Sequence, residues 1–64
     1  MTTIKVYEIR TRREMSLRTL ADLSGVSKSQ INDIENAFSS PTLYTLELIA
    51  KALKCKIGDL YEES

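Results

Sequence analysis

A short internal segment, residues 17–34, limits the fold of this chain more than any other feature. Ser16 and Ser27 are hydroxyl residues of the kind that cap the N-terminus of a helix, and each precedes a stretch with helical spacing of apolar residues. Gly25 stands between the two stretches, where a left-handed residue ends a helix at little cost. Small or apolar residues occupy the positions at which two closely joined helices meet: Ala21, Val26, Ile31 and Ile34. The segment predicts two short helices, about residues 17–36, although two helices of an ordinary bundle would share the pattern.

The rest of the chain predicts three more helices in a single domain, residues 1–64, of all-α class. The first is expected from about Thr3 to Glu14, and its core-facing residues are Ile4, Tyr7, Val6 and Ile9. Pro41 interrupts the helical pattern and Thr42 caps the fourth helix. Spacings of three and four residues place five side chains of that helix on one buried stripe: Leu43, Leu46, Ile49, Ala50 and Leu53. A short fifth helix at about Ile57–Tyr61 would cover the core with Ile57 and Leu60.

Composition excludes several kinds of protein. The sequence has no histidine and a single cysteine, Cys55, so it has neither a disulfide framework nor enough ligands for a structural zinc site. Cys55 is interpreted as a small, reduced core residue. No apolar stretch approaches the roughly 20 residues of a membrane span, and we expect a cytoplasmic protein without a membrane partner. No nucleophile with a base nearby and no glycine-rich phosphate loop is recognisable, so we expect no enzyme, no cofactor, no metal and no small-molecule substrate.

The charges are balanced overall but not along the chain. Residues 1–30 carry six basic and three acidic side chains, whereas residues 31–64 carry three basic and six acidic ones. A zero net charge argues against a nucleic-acid partner, because neutralised phosphates supply much of the affinity for DNA. The uneven distribution is compatible with one basic face for phosphates, and chance segregation on a solvated surface explains it equally well.

One known family has the same residue types at many positions of this chain. These positions are Ile9, Arg10, Ser16, Leu20, Ala21, Gly25, Val26, Ser27, Ile31, Ile34, Glu35, Asn36, Pro41, Leu46, Ile49, Ala50, Ala52, Leu53 and Leu60. Through them the chain resembles, over nearly its whole length, the phage repressor and Cro type of helix-turn-helix protein, also called the xenobiotic-response-element family. The resemblance implies a compact five-helix, lambda-repressor-like domain. Its second helix would lie across the DNA backbone and its third helix would enter the major groove.

The third helix has the side chains that such a docking requires. At about 100° per residue, Ile31 and Ile34 define a buried side, and the opposite half is polar. The residues expected to contact base edges are Lys28, Ser29, Asn32 and Asp33. Lys28 suits guanine or a phosphate, Asn32 suits adenine, and Asp33 can accept from cytosine N4. The residues expected to contact the DNA backbone are Ser16, Leu17, Arg18, Ser27 and Asn36.

Glu35 lies on the flank of the buried side, about 40° from Ile31, and therefore needs a partner. Members of the family commonly pair an arginine of the first helix with this glutamate, and Arg10 stands at the matching position. The resemblance thus implies a structural ion pair between Arg10 and Glu35 that fixes the third helix against the first.

The sequence departs from the family pattern at three positions. Leu17 replaces the usual glutamine at the start of the second helix and removes a donor to phosphate, although Ser16, Arg18 and the free amides of that helix end can substitute in part. Ala37 and Lys54 stand where glycine is common after the third and fourth helices.

Two functions follow from these observations. The first is a sequence-specific transcription regulator, with repression favoured, that binds double-stranded DNA as a homodimer. A dimer is expected because one small module offers few base contacts, and its interface candidates are Phe38, Leu60 and Tyr61. The alternative is a protein-interaction module, for example an antitoxin-like one, which keeps the fold and binds little DNA.

Overall fold

The computed structural model describes residues 2–63, and within them the chain is mostly helical. Four α-helices are joined by short loops, and a two-stranded sheet holds the two ends of the described chain together. In chain order the elements are strand β1 (Thr2–Ile4), helices α1 (Val6–Arg12), α2 (Leu17–Ser24), α3 (Lys28–Glu35) and α4 (Leu43–Leu53), a 3₁₀ helix (Ile57–Asp59) and strand β2 (Tyr61–Glu63).

Hydroxyl caps begin three of the helices, as the sequence predicts. The Ser16 side chain accepts a hydrogen bond from the Thr19 amide at the start of α2. The Ser27 side chain does the same at the start of α3, with the amide of Gln30 at 3.1 Å. The Thr42 side chain accepts from the amide of Thr45 in α4. Each cap satisfies one amide that the helix itself leaves without a partner, which fixes where the helix begins.

The core lies where the four helices meet. It contains Val6, Ile9, Leu20, Val26, Ile31, Ile34, Leu46, Ile49, Ala50, Leu53 and Leu60. Four of the five residues predicted for the buried stripe of α4 are in this list, and the prediction for Leu43 is wrong because its side chain is 71% exposed. Leu43 is the first residue of α4, where the helix has not yet entered the core. Cys55 is half-buried and packs against the core.

The prediction of a first helix from Thr3 to Glu14 is wrong at its start. Thr2–Ile4 form a strand and the helix begins only at Val6. Two threonines and an isoleucine suit an extended chain better than a helix. Because the helix begins at Val6, the side chains of Val6 and Ile9 are buried in the core. Tyr7, which was predicted to be buried, is 58% exposed.

The prediction of a fifth α-helix is also wrong. Ile57–Asp59 form a single 3₁₀ turn, and the chain then becomes extended and pairs with β1 in antiparallel fashion, with Ile4 opposite Tyr61 and Thr2 opposite Glu63. The Lys5 amide also donates to the Leu60 carbonyl at 2.7 Å. The strands satisfy each other's backbone groups, which a helix of five residues could not do as well. Within residues 2–63 the fold is therefore four α-helices, one 3₁₀ turn and a small sheet rather than five α-helices.

Among residues 2–63, four adopt left-handed backbone conformations. Gly25 does so between α2 and α3 with φ 78°, as predicted for the corner. Ala37 and Lys54, the two residues that stand where glycine is common, keep the same conformation with φ 61° and 56°, and Glu14 has φ 54°. At Ala37 and Lys54 the backbone thus has a conformation that suits glycine and that residues with a side chain disfavour.

Candidate functional site

The corner between α2 and α3 is held by local hydrogen bonds. The Gly25 amide donates to the Ala21 carbonyl at 3.0 Å, and the Val26 amide donates to the buried Ser24 hydroxyl at 3.1 Å. Val26 then enters the core, with 6% of its surface exposed. These contacts therefore fix the position of Ser27 and of the start of α3 relative to α2.

One side of α3 is buried and the other is open. Ile31 and Ile34 are 0% and 2% exposed, whereas Lys28, Ser29 and Asn32 are exposed. Asp33, the fourth residue predicted to contact bases, is half-buried. The polar face that the sequence predicts for α3 is thus open to a partner.

The start of α2 and the polar face of α3 form one surface. Leu17, Lys28, Ser29 and Asn32 line a common hollow of about 420 Å³. A second hollow adjoins it at Leu17 and Asn32 and is lined in addition by Tyr7, Arg10, Glu35 and Asn36. The residues predicted for base contacts and the first residue of α2 therefore lie side by side.

Asn36 positions Asn32. The Asn36 side-chain amide donates to the Asn32 backbone carbonyl at 2.8 Å and to its side-chain oxygen at 3.2 Å. Both hydrogen bonds use the N–H groups of Asn36, and its predicted contact with the DNA backbone stays a prediction. The side-chain amide nitrogen of Asn32 stays available to donate, and its oxygen keeps a second lone pair. This arrangement favours a positioning role for Asn36.

Arg10 and Glu35 are paired across α1 and α3. Arg10 Nε donates to Glu35 Oε2 at 2.8 Å and a terminal Arg10 nitrogen donates to Glu35 Oε1 at 3.0 Å. The other terminal nitrogen donates to the Met15 carbonyl at 2.9 Å, and the guanidinium carbon lies 5.3 Å from the centre of the Tyr7 ring. The hydrogen bonds to Glu35 raise the pKa of Arg10, more than burial lowers it.

Three of the backbone-contact candidates lie at the N-terminus of α2. The Ser16 hydroxyl is engaged in the cap and also donates to the Thr19 hydroxyl at 2.9 Å. Arg18 is exposed and lines a third hollow together with Ser27 and Lys28. Leu17 is half-buried and packs against the core with part of its side chain.

The three residues predicted for a dimer interface lie in different surroundings. Phe38 is 77% exposed and Tyr61 is 39% exposed, but Leu60 is 0% exposed and belongs to the core. Leu60 is thus removed from the interface candidates, because its side chain is buried among the core residues. Leu43, which the sequence assigned to the core, instead lines an apolar hollow that also includes Tyr61.

Tyr7 is a site residue that sequence reasoning missed. It is exposed beside Arg10 and lines the same hollow as Asn32 and Asn36. A signal was present, because residues three apart on a helix are neighbours, and Tyr7 and Arg10 have this spacing. The second missed residue, Met15, contributes only its backbone carbonyl, which no side-chain pattern indicates.

Two further observations concern the described residues as a whole. Within residues 2–63 no helix is both long and apolar enough to cross a membrane. In the same part of the chain no three His, Cys, Asp or Glu side chains are grouped so that they could hold a metal ion.

Two helices joined by a left-handed glycine, with the polar face of the second helix exposed, define a helix-turn-helix domain. The family model described as helix-turn-helix matches residues 6–60, which is most of the chain. The chain belongs to this family.

Three curated proteins are similar to this chain. The HTH-type transcriptional regulator SutR of Escherichia coli is 46% identical over 52 residues, which are 81% of this chain and 28% of that protein. The competence pilus inhibition repressor of Acinetobacter baylyi is 34% identical over 83% of this chain and 48% of its own length. The SPbeta prophage-derived HTH-type transcriptional regulator YopS of Bacillus subtilis is 28% identical over 89% of this chain and 78% of its own. The chain thus spans less than half of the first two relatives.

Proposed function

We propose that this chain is a sequence-specific DNA-binding transcription regulator, acting as a repressor, whose helix α3 enters the major groove. The observation that carries the proposal is the common hollow of Leu17, Lys28, Ser29 and Asn32. It puts short polar side chains and one cation beside the N-terminus of α2, which is the arrangement needed to approach base edges and a phosphate together. The names of the relatives, two regulators and a repressor, support the assignment.

Three polar side chains of α3 have matching groups in the major groove. Asn32 can pair with adenine through N6 and N7, and Asn36 already orients it. Lys28 at the first turn of α3 suits guanine O6 and N7 or a phosphate oxygen. Asp33 can accept from cytosine N4, but as a carboxylate it would be repelled by a nearby phosphate.

The backbone of the DNA would be held at the N-terminus of α2. The first amides of a helix lack intrahelical partners and favour an anion, and the Ser16 hydroxyl occupies only that of Thr19. Arg18 adds a cation that lines the third hollow together with Lys28. Together they provide phosphate contacts that depend little on sequence.

We further propose that two copies bind a palindromic site. Phe38, Leu43 and Tyr61 expose apolar surface outside the α2–α3 face, and Leu43 and Tyr61 line one hollow. Sedimentation of the protein with a selected duplex tests this proposal. Two copies on a palindromic duplex support it, and a stable one-to-one complex on a non-palindromic site contradicts it.

Titration with DNA at several salt concentrations tests DNA binding itself. We expect measurable binding to random duplex at low salt that weakens steeply as salt rises. Asn32→Asp adds a negative charge to the proposed contact face and should abolish most of the binding. Gln30→Glu is the matched control, because it adds the same charge to an exposed residue on the other flank of α3. Equal affinity of the two variants would contradict the docking proposed here.

A protein-interaction module remains the second candidate. The zero net charge and the exposed apolar side chains of Phe38, Leu43 and Tyr44 favour it. The same titration separates the two functions, since an interaction module should show no salt-dependent affinity for duplex DNA.

A further inference from the structure

We propose that Leu17 contacts the 5-methyl group of a thymine in the major groove and thereby makes the DNA preference of this domain depend on thymine at one position of each half-site. This inference rests on the proposed function. It assigns to Leu17 a base contact, whereas its place in the sequence suggests only a contact with the DNA backbone.

The Leu17 side chain is divided between the core and the surface. Leu17 is the first residue of α2 and is half-buried, so part of its side chain packs on the core and part stays open. The open part lines the hollow shared with Lys28, Ser29 and Asn32, and also the neighbouring one shared with Tyr7 and Asn36. Leu17 therefore faces the same surface as the polar side of α3.

The hollow beside Leu17 is mostly polar. Its other three lining residues are polar, so Leu17 is the apolar side chain among them. A leucine cannot donate to a phosphate, and an apolar group pressed against an anion would remove water from it without replacing the hydrogen bonds. The apolar group that the major groove offers is the thymine methyl, and apolar side chains are suited to contact it.

The neighbourhood of Asn32 indicates which thymine is involved. Asn32 lines both hollows with Leu17 and has the donor and acceptor that adenine requires. The partner base of an adenine is a thymine, whose methyl group points into the same groove. We therefore place the contacted thymine in the base pair that Asn32 contacts or in the adjacent one.

Replacing a thymidine by deoxyuridine removes the 5-methyl group of the base and nothing else, so this exchange tests the contact directly. A preferred duplex is first selected from a random pool, and each thymine is then exchanged singly for deoxyuridine. We expect one position of each half-site to lose about fourfold in affinity, the value of one buried methyl or methylene group. At all other positions the exchange should have little effect.

Variants of Leu17 connect the loss to this side chain. Leu17→Ala and Leu17→Gln should bind the thymine and deoxyuridine duplexes equally well. Leu17→Gln keeps the side-chain volume, so it decides the question if Leu17→Ala fails to fold in a thermal melt. Leu23→Ala is the control, because Leu23 lies on the same helix, is 61% exposed and lines neither hollow. It should keep the full sensitivity to the methyl group.

The outcomes separate this inference from the proposed function. If no duplex binds, the proposed function fails and the inference fails with it. If the duplex binds but no thymine is sensitive, or if Leu17→Gln keeps the sensitivity, the inference alone is overturned. A Leu17→Gln variant that binds every sequence more tightly by the same factor also overturns it, because that result indicates a phosphate at this position.

Discussion

Arg10 and Glu35 form a two-point ion pair that joins α1 to the last residue of α3, with N–O distances of 2.8 and 3.0 Å. The side chains are 11% and 6% exposed, so the pair is largely shielded from water. The Met15 carbonyl accepts a further hydrogen bond from Arg10. Arg10 is thus occupied within the fold, where it ties α3 to α1.

Removing either partner of this pair should strongly destabilise the domain. Arg10→Ala leaves the Glu35 carboxylate shielded from water without its partner, and Glu35→Ala does the same to the guanidinium. Loss of one member of a buried pair typically costs about 3–5 kcal/mol, which is a large part of the stability of a small domain. The double variant should be less destabilised than the sum of the single ones. Thermal and urea unfolding of the three variants checks this.

The Glu8–Arg12 pair provides the control. It has the same charges at 3.0 Å, but its side chains are 53% and 70% exposed. Exposed pairs of this spacing contribute only about 0.3–0.5 kcal/mol. Arg12→Ala should therefore change the melting temperature little. Equal effects of Arg10→Ala and Arg12→Ala would show that shielding of the inner pair has no importance.

Ala37→Gly and Lys54→Gly should each stabilise the protein. Both residues have left-handed backbone conformations, with φ 61° and 56°, which cost a residue with a side chain about 1–2 kcal/mol. Glycine removes that cost but gives the unfolded chain about 0.4–1 kcal/mol of extra conformational freedom. We expect a net gain of about 0.5–1 kcal/mol for each change, measured as the free energy of unfolding in urea.

The control for these changes is Ala52→Gly. Ala52 lies inside α4, where glycine brings the same freedom to the unfolded chain and relieves no strain. It should cost about 0.5–1 kcal/mol. If Ala37→Gly destabilises the protein as much as Ala52→Gly does, the strain assigned to residue 37 is absent.

The parts of the fold that the sequence predicted correctly are those set by local chemistry. Ser16, Ser27 and Thr42 begin helices because a hydroxyl satisfies a free amide within the same turn. Gly25 ends α2 because its own backbone tolerates positive φ. In each case the cause and its effect lie within four residues of one another.

The errors concern features that depend on distant partners. Thr2–Ile4 become a strand only because Tyr61–Glu63 pair with them, some 60 residues along the chain. The composition of the stretch favours an extended chain, but no local pattern indicates which distant segment pairs with it. The same reasoning explains the site: the composition of α3 indicates its polar face, but only the packing of α2 on α3 shows that Leu17 lies beside Asn32.

Stability should fall in alkaline solution through Cys55. Burial raises the pKa of the Cys55 thiol, with Asp59 acting in the same direction and Arg13 opposing it. The folded protein therefore keeps the proton at pH values where the unfolded thiol has lost it. The contribution of Cys55 to stability is fully present below the pKa of an unfolded cysteine, about 8.5. It is lost as the pH rises through the pKa of Cys55 in the folded protein. Urea unfolding between pH 7 and pH 10 should show this loss, and Cys55→Ala should show less of it.

Asn36→Ala should weaken the preference for adenine more than it weakens binding as a whole. It removes the donor that orients the Asn32 side-chain oxygen at 3.2 Å and leaves the Asn32 side chain itself in place. We expect a loss of about 1 kcal/mol at the base pair that Asn32 contacts, the net value of one hydrogen bond. Competition binding with single-base changes measures it. A uniform loss on all sequences would indicate a phosphate contact of Asn36 instead.

Lys28→Ala distinguishes a base contact from a phosphate contact at the first turn of α3. If Lys28 donates to guanine, the preferred duplex should lose about 1–3 kcal/mol of binding free energy and the preference at one base pair should relax. If it contacts only phosphate, the loss should be equal on every sequence and the slope of log K against log salt should fall by about one. Lys51→Ala is the matched control: Lys51 is exposed in the last turn of α4 and lines none of the three hollows around α2 and α3. Competition titrations at two salt concentrations give both quantities, and a Lys28→Ala variant that binds like Lys51→Ala would contradict the contact proposed for Lys28.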